Sequence, residues 1–138
     1  MGTVEENKEI LRHQVDEINK GNLEVLSEYH APDCIYHDNT RLLVGADAYK
    51  ESISRAKAAF SDLHATINNI IGEDDYLAIR YTQESTFTKK FHNWEPNGKR
   101  IKYETQELYQ FKDGKIVEVW SIYDDLDLLR QLGAIPTN

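Results

Sequence analysis

The chain is poor in cysteine, clustered histidine and basic residues, and each shortage excludes a class of protein. Cys34 is the single cysteine of the 138 residues, so no intrachain disulfide can form. The five histidines are never four residues apart, and we therefore predict no metal site. Lysine and arginine number 16 against 24 aspartates and glutamates, a formal net charge of -8. This excess of acid disfavours nucleic acid and anionic membranes as partners.

Long apolar runs are absent as well. No stretch approaches the roughly 20 apolar residues of a membrane-spanning helix. The first ten residues lack the apolar core of a signal peptide, so we expect a cytoplasmic protein. Hydrophobic residues nevertheless make up 40% of the chain, with eight tyrosines and two tryptophans. This composition predicts one folded domain over residues 1–138, large enough to bury a core.

Helical periodicity is found near both ends of the chain. Thr3 and Glu6 have capping-box spacing, which predicts a helix start, and Gly21 predicts the end of that helix. A second, short helix is predicted after Asn22, and it ends by Pro32. A third helix follows, and a fourth, short helix is predicted over 126–133. The apolar positions of the first three helices are Ile10, Leu11, Val15 and Ile18, then Leu23, Leu26 and Tyr29, then Tyr49, Ile53, Ala56 and Phe60.

Residues 63–123 alternate with a period of two, which predicts strands. The strand segments are 63–71, 76–87, 99–111 and 115–123, and a brief strand is predicted at 34–38. Asp113 and Gly114 are a two-residue hairpin signal between the last two segments. Helices followed by a long antiparallel meander predict an α+β fold with a curved sheet around three N-terminal helices. A ligand pocket is expected between the concave face of the sheet and the helices.

Glu107 is the most informative residue of these strands. In a strand its side chain shares one face with Tyr103, Thr105, Tyr109 and Phe111, a largely apolar set. Burying a carboxylate among such side chains is costly, and it raises the pKa of the carboxyl group. Such a group suits proton transfer near neutral pH, although a structural glutamate bonded to hydroxyl groups would have the same environment. Ser121 faces Glu107 across the predicted hairpin and is its natural hydrogen-bonding neighbour.

Three segments carry a family resemblance: NKEILRHQVDEINKGNLEVLSEYHAPDCIYHD, GADAYKESISRAKAAFSDLHATINNIIGEDDYLAIRYT and FKDGKIVEVWSIYDDLDLLRQLGAI. In order and spacing they are similar to the SnoaL-like polyketide cyclases, which belong to the cone-shaped, cystatin-like superfamily of ketosteroid isomerase and nuclear transport factor two. The resemblance covers nearly the whole chain. It implies a cone-shaped α+β barrel and an acid/base reaction such as intramolecular aldol cyclisation, without metal or organic cofactor.

The resemblance also points to individual site residues. The acid/base aspartate of the family falls on Ser121, its neighbouring histidine falls on Val119, and the position facing the aspartate falls on Glu107. His37 retains a histidine that the family often carries. We therefore predict Glu107 and His37 as catalytic residues. Predicted to line the ligand site are Ser121, Val119, Tyr103, Tyr81 and Trp94.

Three functions are compatible with this sequence. The first is a cofactor-independent enzyme that moves a proton on a small apolar carbonyl or polycyclic compound, by isomerisation, aldol cyclisation or hydration. The second is a non-catalytic module of the same fold that binds a small molecule or a partner, since a fold does not dictate function. The third is an epoxide hydrolase, but the paired aspartates and arginine that it would need inside the pocket are not evident.

Two aromatic features lie outside the predicted core. Phe91 and Trp94 lie in a polar connection, where they indicate a lid, a subunit contact or a cover over the sheet edge. Trp120 points away from Ser121, to the other face of the sheet. An apolar side chain exposed there leads us to expect a homodimer contact on that face.

Overall fold

The structure, a computed structural model, describes residues 2–136. Its elements are α1 (Val4–Asn19), α2 (Val25–Tyr29), β1 (His30–Asp38), β2 (Arg41–Val44), α3 (Ala46–Ala59), β3 (Phe60–Glu73), β4 (Tyr76–Phe87), β5 (Arg100–Lys112), β6 (Lys115–Tyr123) and α4 (Asp125–Leu132).

The strands form one six-stranded sheet in the order β2-β1-β6-β5-β4-β3. The sheet is curved and unclosed, and the N-terminal helices lie against it, which confirms the predicted α+β fold class. All neighbouring strands are antiparallel except β1 and β6, which are parallel. The meander β3 to β6 therefore follows the prediction. The early strand departs from it by joining β6 in parallel.

The local signals for helix α1 act as the sequence predicts. Thr3 caps the helix, its side chain accepting a hydrogen bond from the Glu6 amide at 3.1 Å. Leu11 and Val15 are buried against the sheet, in the main core. At the other end, the Asn19 side chain exchanges two hydrogen bonds with the backbone of Ala65, at 2.9 and 2.8 Å. Because Ala65 lies on the edge strand β3, Asn19 fixes the helix to the rim of the sheet.

The hairpin between β5 and β6 also forms as predicted. Asp113 and Gly114 both have positive φ, 52° and 77°, which matches the twist of a two-residue hairpin. The turn pairs Lys112 with Lys115, and a β-bulge between the Phe111–Ile116 and Gln110–Glu118 pairs then shifts the register by one residue, which places Glu107 opposite Ser121 and Tyr109 opposite Val119.

Several boundaries differ from the prediction, and one strand was missed. Helix α2 begins at Val25, because Asn22 forms a turn in which its side chain accepts the Glu24 amide at 3.3 Å. Helix α3 ends at Ala59, so Phe60 belongs to β3. Strand β1 begins at His30, and β2 was not predicted at all.

In the part of the chain that the structure describes, none of the helices has both the length and the apolar character needed to span a membrane.

Candidate active site

A cavity of about 490 Å³ lies between the concave face of the sheet and helices α1, α3 and α4. The sheet contributes a polar and aromatic wall, and the helices contribute aliphatic and polar side chains in equal number. The sheet residues used below are Tyr81, Tyr103, Thr105, Glu107, Val119 and Ser121.

Strand alternation explains how β5 supplies its part of this wall. Tyr103, Thr105, Glu107 and Tyr109 all line the cavity, while the intervening residues of the strand face outward. Glu107 is accessible in part, whereas Thr105 and Tyr109 are buried. The sequence therefore predicts the inward orientation of Glu107 correctly.

Strand pairing places three polar side chains in one row across the concave face. Ser121 is the direct partner of Glu107 on one side and of Asp38 on the other. Residues directly opposite each other on neighbouring strands share a face and lie about 5 Å apart. The row therefore presents a hydroxyl between two carboxyl groups.

Glu107 lies at the centre of a hydrogen-bonded group of tyrosines. The Tyr109 hydroxyl donates to Glu107 Oε1 at 2.6 Å, and the hydroxyls of Tyr81 and Tyr109 are 3.0 Å apart. Burial raises the pKa of the Glu107 carboxyl above its usual range. The hydroxyls of Tyr109, Ser121 and Tyr81 oppose that rise, and the nearby charge of Asp38 adds to it. The carboxyl can therefore hold its proton at a higher pH than an ordinary glutamate.

The neighbouring tyrosines remain hydrogen-bond donors at neutral pH. Burial raises the pKa of Tyr81 and Tyr109 well above that of free tyrosine, and it also raises the pKa of Tyr103. At the mouth of the cavity, burial raises the pKa of Tyr123 to about 12. These hydroxyls can stabilise a developing negative charge on a bound oxygen, but they cannot act as bases near pH 7.

The structure does not bring His37 to this group. Its Nε2 atom lies 2.6 Å from Glu118 Oε2, and its ring stacks on Trp120 at 5.4 Å with an interplanar angle of 3°. Both partners lie on the convex face, because in strand β1 Tyr36 and Asp38 take the inner positions and His37 takes the outer one between them. His37 therefore contacts Glu118 and Trp120 rather than Glu107, although it borders the cavity, and its catalytic role stays a prediction.

Trp94 borders the cavity. Residues Phe91 and Trp94 exchange backbone hydrogen bonds of 3.1 and 3.0 Å, which fold the connection back on itself. Both rings pack against the second core cluster, formed by Ala59, Phe60, Phe87, Ile101 and Leu132. Within the single chain, the aromatic side chains of this segment therefore cover the sheet edge, and a subunit contact here stays a prediction.

Sequence reasoning missed an acidic group at the rim. Asp38 lies 3.2 Å from Arg41 and feels the charge of Asp125, and all three border the cavity. Burial raises the pKa of Asp38, and Arg41 partly offsets the rise. Arg41 is half-exposed and Asp125 is exposed, so the three meet at the entrance rather than inside.

Metal-ligating side chains do not converge within residues 2–136, where no three histidine, cysteine, aspartate or glutamate side chains form a cluster. The carboxyl groups in the cavity are bonded to tyrosine hydroxyls and to arginine instead. That the protein needs no metal stays a prediction.

Comparisons with known proteins agree on one family. The chain matches no curated protein sequence. Among solved structures it is similar to AclR from Streptomyces galilaeus, a candidate hydroxylase, with 27% identity, a TM-score of 0.89 and coverage of 99% of this chain and 86% of AclR.

Two candidate polyketide cyclases are also similar in structure. IdmH from Streptomyces antibioticus has 26% identity and a TM-score of 0.81, over 92% of this chain and 98% of IdmH. A protein from Acidithiobacillus ferrooxidans has 28% identity and a TM-score of 0.79, over 93% of this chain and 94% of that protein. The family model for SnoaL-like polyketide cyclases matches residues 8–132, and the chain therefore belongs to the SnoaL-like polyketide cyclase family.

Proposed function

We propose that the protein is a cofactor-independent acid/base enzyme that transfers a proton on a small, largely apolar carbonyl or polycyclic compound. The observation that carries the proposal is Glu107, a carboxyl group that faces the cavity, accepts a hydrogen bond from Tyr109 and has a raised pKa. A carboxyl group whose pKa lies nearer to neutral exchanges protons efficiently at physiological pH.

The proposed chemistry starts with removal of a proton from the carbon next to a carbonyl group. The Glu107 carboxylate accepts that proton, the electron pair of the C–H bond forms the enolate, and negative charge develops on the carbonyl oxygen. We assign the binding of this oxygen to the hydroxyl of Ser121, the direct strand partner of Glu107, because the protons of Tyr81 and Tyr109 are already donated along the chain from Tyr81 to Tyr109 to Glu107. Return of the proton to another carbon completes an isomerisation. Attack of the enolate carbon on a second carbonyl, whose oxygen takes the proton, completes an aldol cyclisation.

Proton exchange gives a direct test that needs no knowledge of the natural substrate. The ketones 1-tetralone and 2-tetralone would be incubated with the protein in D2O, and deuterium incorporation next to the carbonyl group followed by NMR. We expect exchange above the buffer rate. Glu107→Gln keeps the shape of the side chain but cannot exchange a proton, so it should lower the catalysed rate by about 10²–10⁴-fold.

Glu104→Gln is the matched control. Glu104 lies on the same strand, but it faces outward, where it pairs with Arg80 at the surface. The same chemical change there should leave exchange intact. An unchanged rate in Glu107→Gln would contradict the assignment of Glu107 as the acid/base.

A non-catalytic binding module is the second candidate. It is favoured by Ser121 and Val119, which stand where the resemblance places the acid/base pair of the family. In that case the same ketones would raise the melting temperature of the protein, but exchange would stay at the buffer rate in the unmodified protein and in Glu107→Gln alike.

A further inference from the structure

Tyr49 lines the cavity, and its hydroxyl group has no hydrogen-bond partner within residues 2–136. The residue lies in the first turn of α3, and Ser52, Ile53 and Ala56 on the same helix also line the cavity. Offsets of three, four and seven residues place all four side chains on one face of a helix. The helix therefore directs Tyr49 inward.

The hydroxyl of Tyr49 can be reached from the cavity. Two side-chain atoms in the described part of the chain are both buried and without a hydrogen-bond partner, Asn7 Oδ1 and Thr105 Oγ1. The Tyr49 hydroxyl is not one of these two, because Tyr49 keeps part of its surface accessible. Phenylalanine would pack in the same way and would have no hydroxyl to desolvate. The hydroxyl is therefore available to a bound molecule.

A chain of neighbouring side chains holds the Tyr49 ring in place. The ring lies parallel to that of Tyr36, with centroids 4.1 Å apart and an interplanar angle of 7°. The Tyr36 hydroxyl is bonded to His30 Nδ1 at 2.6 Å, and His30 Nε2 is bonded to Gln14 Oε1 at 2.6 Å. Neighbours that are themselves fixed restrict the rotamers of a side chain, so the Tyr49 hydroxyl is positioned before a ligand arrives.

The Tyr49 hydroxyl lies near the row of polar side chains on the sheet. Burial raises the pKa of Tyr49 well above that of free tyrosine, and the charges of Glu107 and Asp38 add to the rise. These two carboxyl groups flank Ser121. The Tyr49 hydroxyl therefore keeps its proton at neutral pH and can donate it in a hydrogen bond.

Other tyrosines of the cavity are less suited to bind an oxygen beside Glu107. The protons of Tyr81 and Tyr109 are donated along the chain of hydroxyls that ends on Glu107. Tyr103 shares a strand face with Glu107, but it lies four residues away along β5, a distance of about 13 Å. Tyr49 combines an unused hydroxyl proton with closeness to Glu107.

We propose that Tyr49 is a catalytic residue that donates a hydrogen bond from α3 to the substrate oxygen, while Ser121 binds the same oxygen from the sheet. This inference rests on the proposed function of Glu107. Glu107 takes the proton from carbon, and the electron pair of the C–H bond forms the enolate. The charge on the enolate oxygen is shared between the two hydroxyls, which keep their own protons. A donor that is already fixed in place needs no reorganisation when this charge develops.

Ionisation of a bound phenol tests this donor without any turnover. 7-Hydroxycoumarin absorbs at different wavelengths when neutral and when ionised, and its ionised oxygen resembles that of an enolate. In Glu107→Gln, the neutral glutamine stands in for Glu107 after it has taken the proton. We expect the ratio of ionised to neutral bound probe to fall by about 10- to 100-fold when Tyr49→Phe is added, the usual consequence of one lost hydrogen bond to a charged group.

Tyr76→Phe in the same Glu107→Gln background is the matched control. Tyr76 is 40% exposed on the outer face of β4 and does not border the cavity, so the same chemical change there should leave the ratio unchanged. The free Tyr49→Phe protein should melt at the same or a higher temperature than the unmodified protein. Its ring can still stack on Tyr36, and the lost hydroxyl had no partner within residues 2–136.

Proton exchange on the tetralones provides the catalytic readout. Tyr49→Phe should lower the catalysed rate by about 10²–10³-fold, the effect of removing one donor to a developing oxyanion. Exchange at the buffer rate in the unmodified protein would refute the proposed function, whereas the phenol measurement would still decide whether Tyr49 is the donor.

Four results would overturn the proposal. They are an equal ionisation ratio with and without the Tyr49 hydroxyl, failure of the phenol to bind Glu107→Gln, an unchanged catalysed rate in Tyr49→Phe, and a lower melting temperature of that variant. An unchanged rate in Tyr49→Phe together with a loss of rate in Glu107→Gln would leave the proposed function intact and remove only the role of Tyr49.

Discussion

A buried histidine shows how single residues set the pH range of this fold. His30 is 2% exposed, and both of its ring nitrogens are bonded, Nδ1 to the Tyr36 hydroxyl and Nε2 to Gln14 Oε1, each at 2.6 Å. Because a glutamine oxygen can only accept, Nε2 carries the proton and Nδ1 accepts from the tyrosine. Both bonds are satisfied by the neutral ring. Burial lowers the pKa of His30 from 6.5 to about 4.

We expect this histidine to weaken the protein in mild acid. Between about pH 6.5 and pH 4 the unfolded chain binds a proton at His30 and the folded protein does not, so stability falls as the pH falls. The loss should reach about 3 kcal/mol in the free energy of unfolding, because each unit between the two pKa values contributes about 1.4 kcal/mol. Urea unfolding of the protein and of His30→Gln at a series of pH values would measure the difference.

The comparison between the two proteins isolates His30 from opposing groups. Burial raises the pKa of Glu107 and Asp38, so their contributions to stability fall as the pH rises through their raised pKa values. The difference between wild type and His30→Gln removes these shared effects. His64→Gln, at an exposed histidine on the outer face, should retain the wild-type pH dependence. A constant difference between wild type and His30→Gln from pH 7 to pH 4 would contradict the prediction.

The candidate site was predictable in part, and single residues show where the prediction stops. The inward orientation of Glu107 could be predicted because only one face of its strand is apolar. That face must be the buried one, and Glu107 lies on it. In "CIYHD" both faces carry apolar or aromatic side chains, and nothing local puts Tyr36 and Asp38 inside and His37 outside. The lack of a hydrogen-bond partner for Thr105 depends on what surrounds it in space, which no local pattern reveals.

At the scale of elements, amide side chains attach two helices to free backbone groups of the sheet. Asn19 bonds both the amide and the carbonyl of Ala65. Gln131 on α4 does the same at Lys102 on β5, accepting from the amide at 2.9 Å and donating to the carbonyl at 2.7 Å. Each side-chain amide makes the two hydrogen bonds, one to an N–H and one to a C=O, that a neighbouring strand would otherwise make. Because α4 carries Leu128 and Leu129 on the cavity wall, the bonds of Gln131 hold one end of the cavity closed.

We expect Gln131→Ala to loosen α4 without unfolding the sheet. Two partly exposed hydrogen bonds are lost, at about 0.5–1.5 kcal/mol each, and the amide and carbonyl of Lys102 become free to bond with water. Hydrogen–deuterium exchange should rise at the Lys102 amide and along 125–132, and stay unchanged in β3 and β4. Gln106→Ala, on the outer face of the same strand, is the control. Unchanged exchange in α4 would show that its apolar contacts suffice to hold it.

Two features of the sheet were not predicted, strand β2 and the parallel pairing of β1, because the first is brief and the second is long-range. Strand β2 has four residues, too few for alternation to be distinguished from a loop, and it is followed directly by Gly45, which has a φ of 102°. Strand β1 pairs with β6, about eighty residues later in the chain, and the parallel direction of that pair leaves no turn signal between them. The hairpins, whose turns lie between adjacent strands, were placed correctly.

At the scale of the whole molecule, the convex face of the sheet presents an apolar row. The row follows the strand pairing from one edge to the other, and its members are Leu42, His37, Trp120, Leu108, Ala78 and Ile71. Leu42 and Ile71, at its ends, are 61% and 67% exposed. With about 4.8 Å between strands, the row runs for about 24 Å. An exposed apolar band of this length is typical of a surface that a partner covers.

We expect a second copy of the chain to cover this row and form a twofold-symmetric dimer. A row that crosses a sheet can lie against itself after a twofold rotation, which buries the same side chains in both subunits. Sedimentation equilibrium at micromolar concentration should therefore give twice the chain mass of 16.0 kDa.

Leu108 lies near the middle of the row. Leu108→Lys would bring two ammonium groups into the interface, and it should shift the equilibrium to the monomer because each buried charge lacks a partner.

A matched lysine substitution distinguishes loss of the interface from a general effect of added charge. Leu126 is 52% exposed on α4, outside the sheet, and Leu126→Lys should leave the dimer intact. Because Leu108 faces outward and Glu107 inward, the monomeric Leu108→Lys protein should keep its fold and its cavity, and it should still exchange protons on the ketone probes. A wild-type protein that sediments at 16.0 kDa would refute the dimer. A dimer that survives Leu108→Lys would place the interface elsewhere on the molecule.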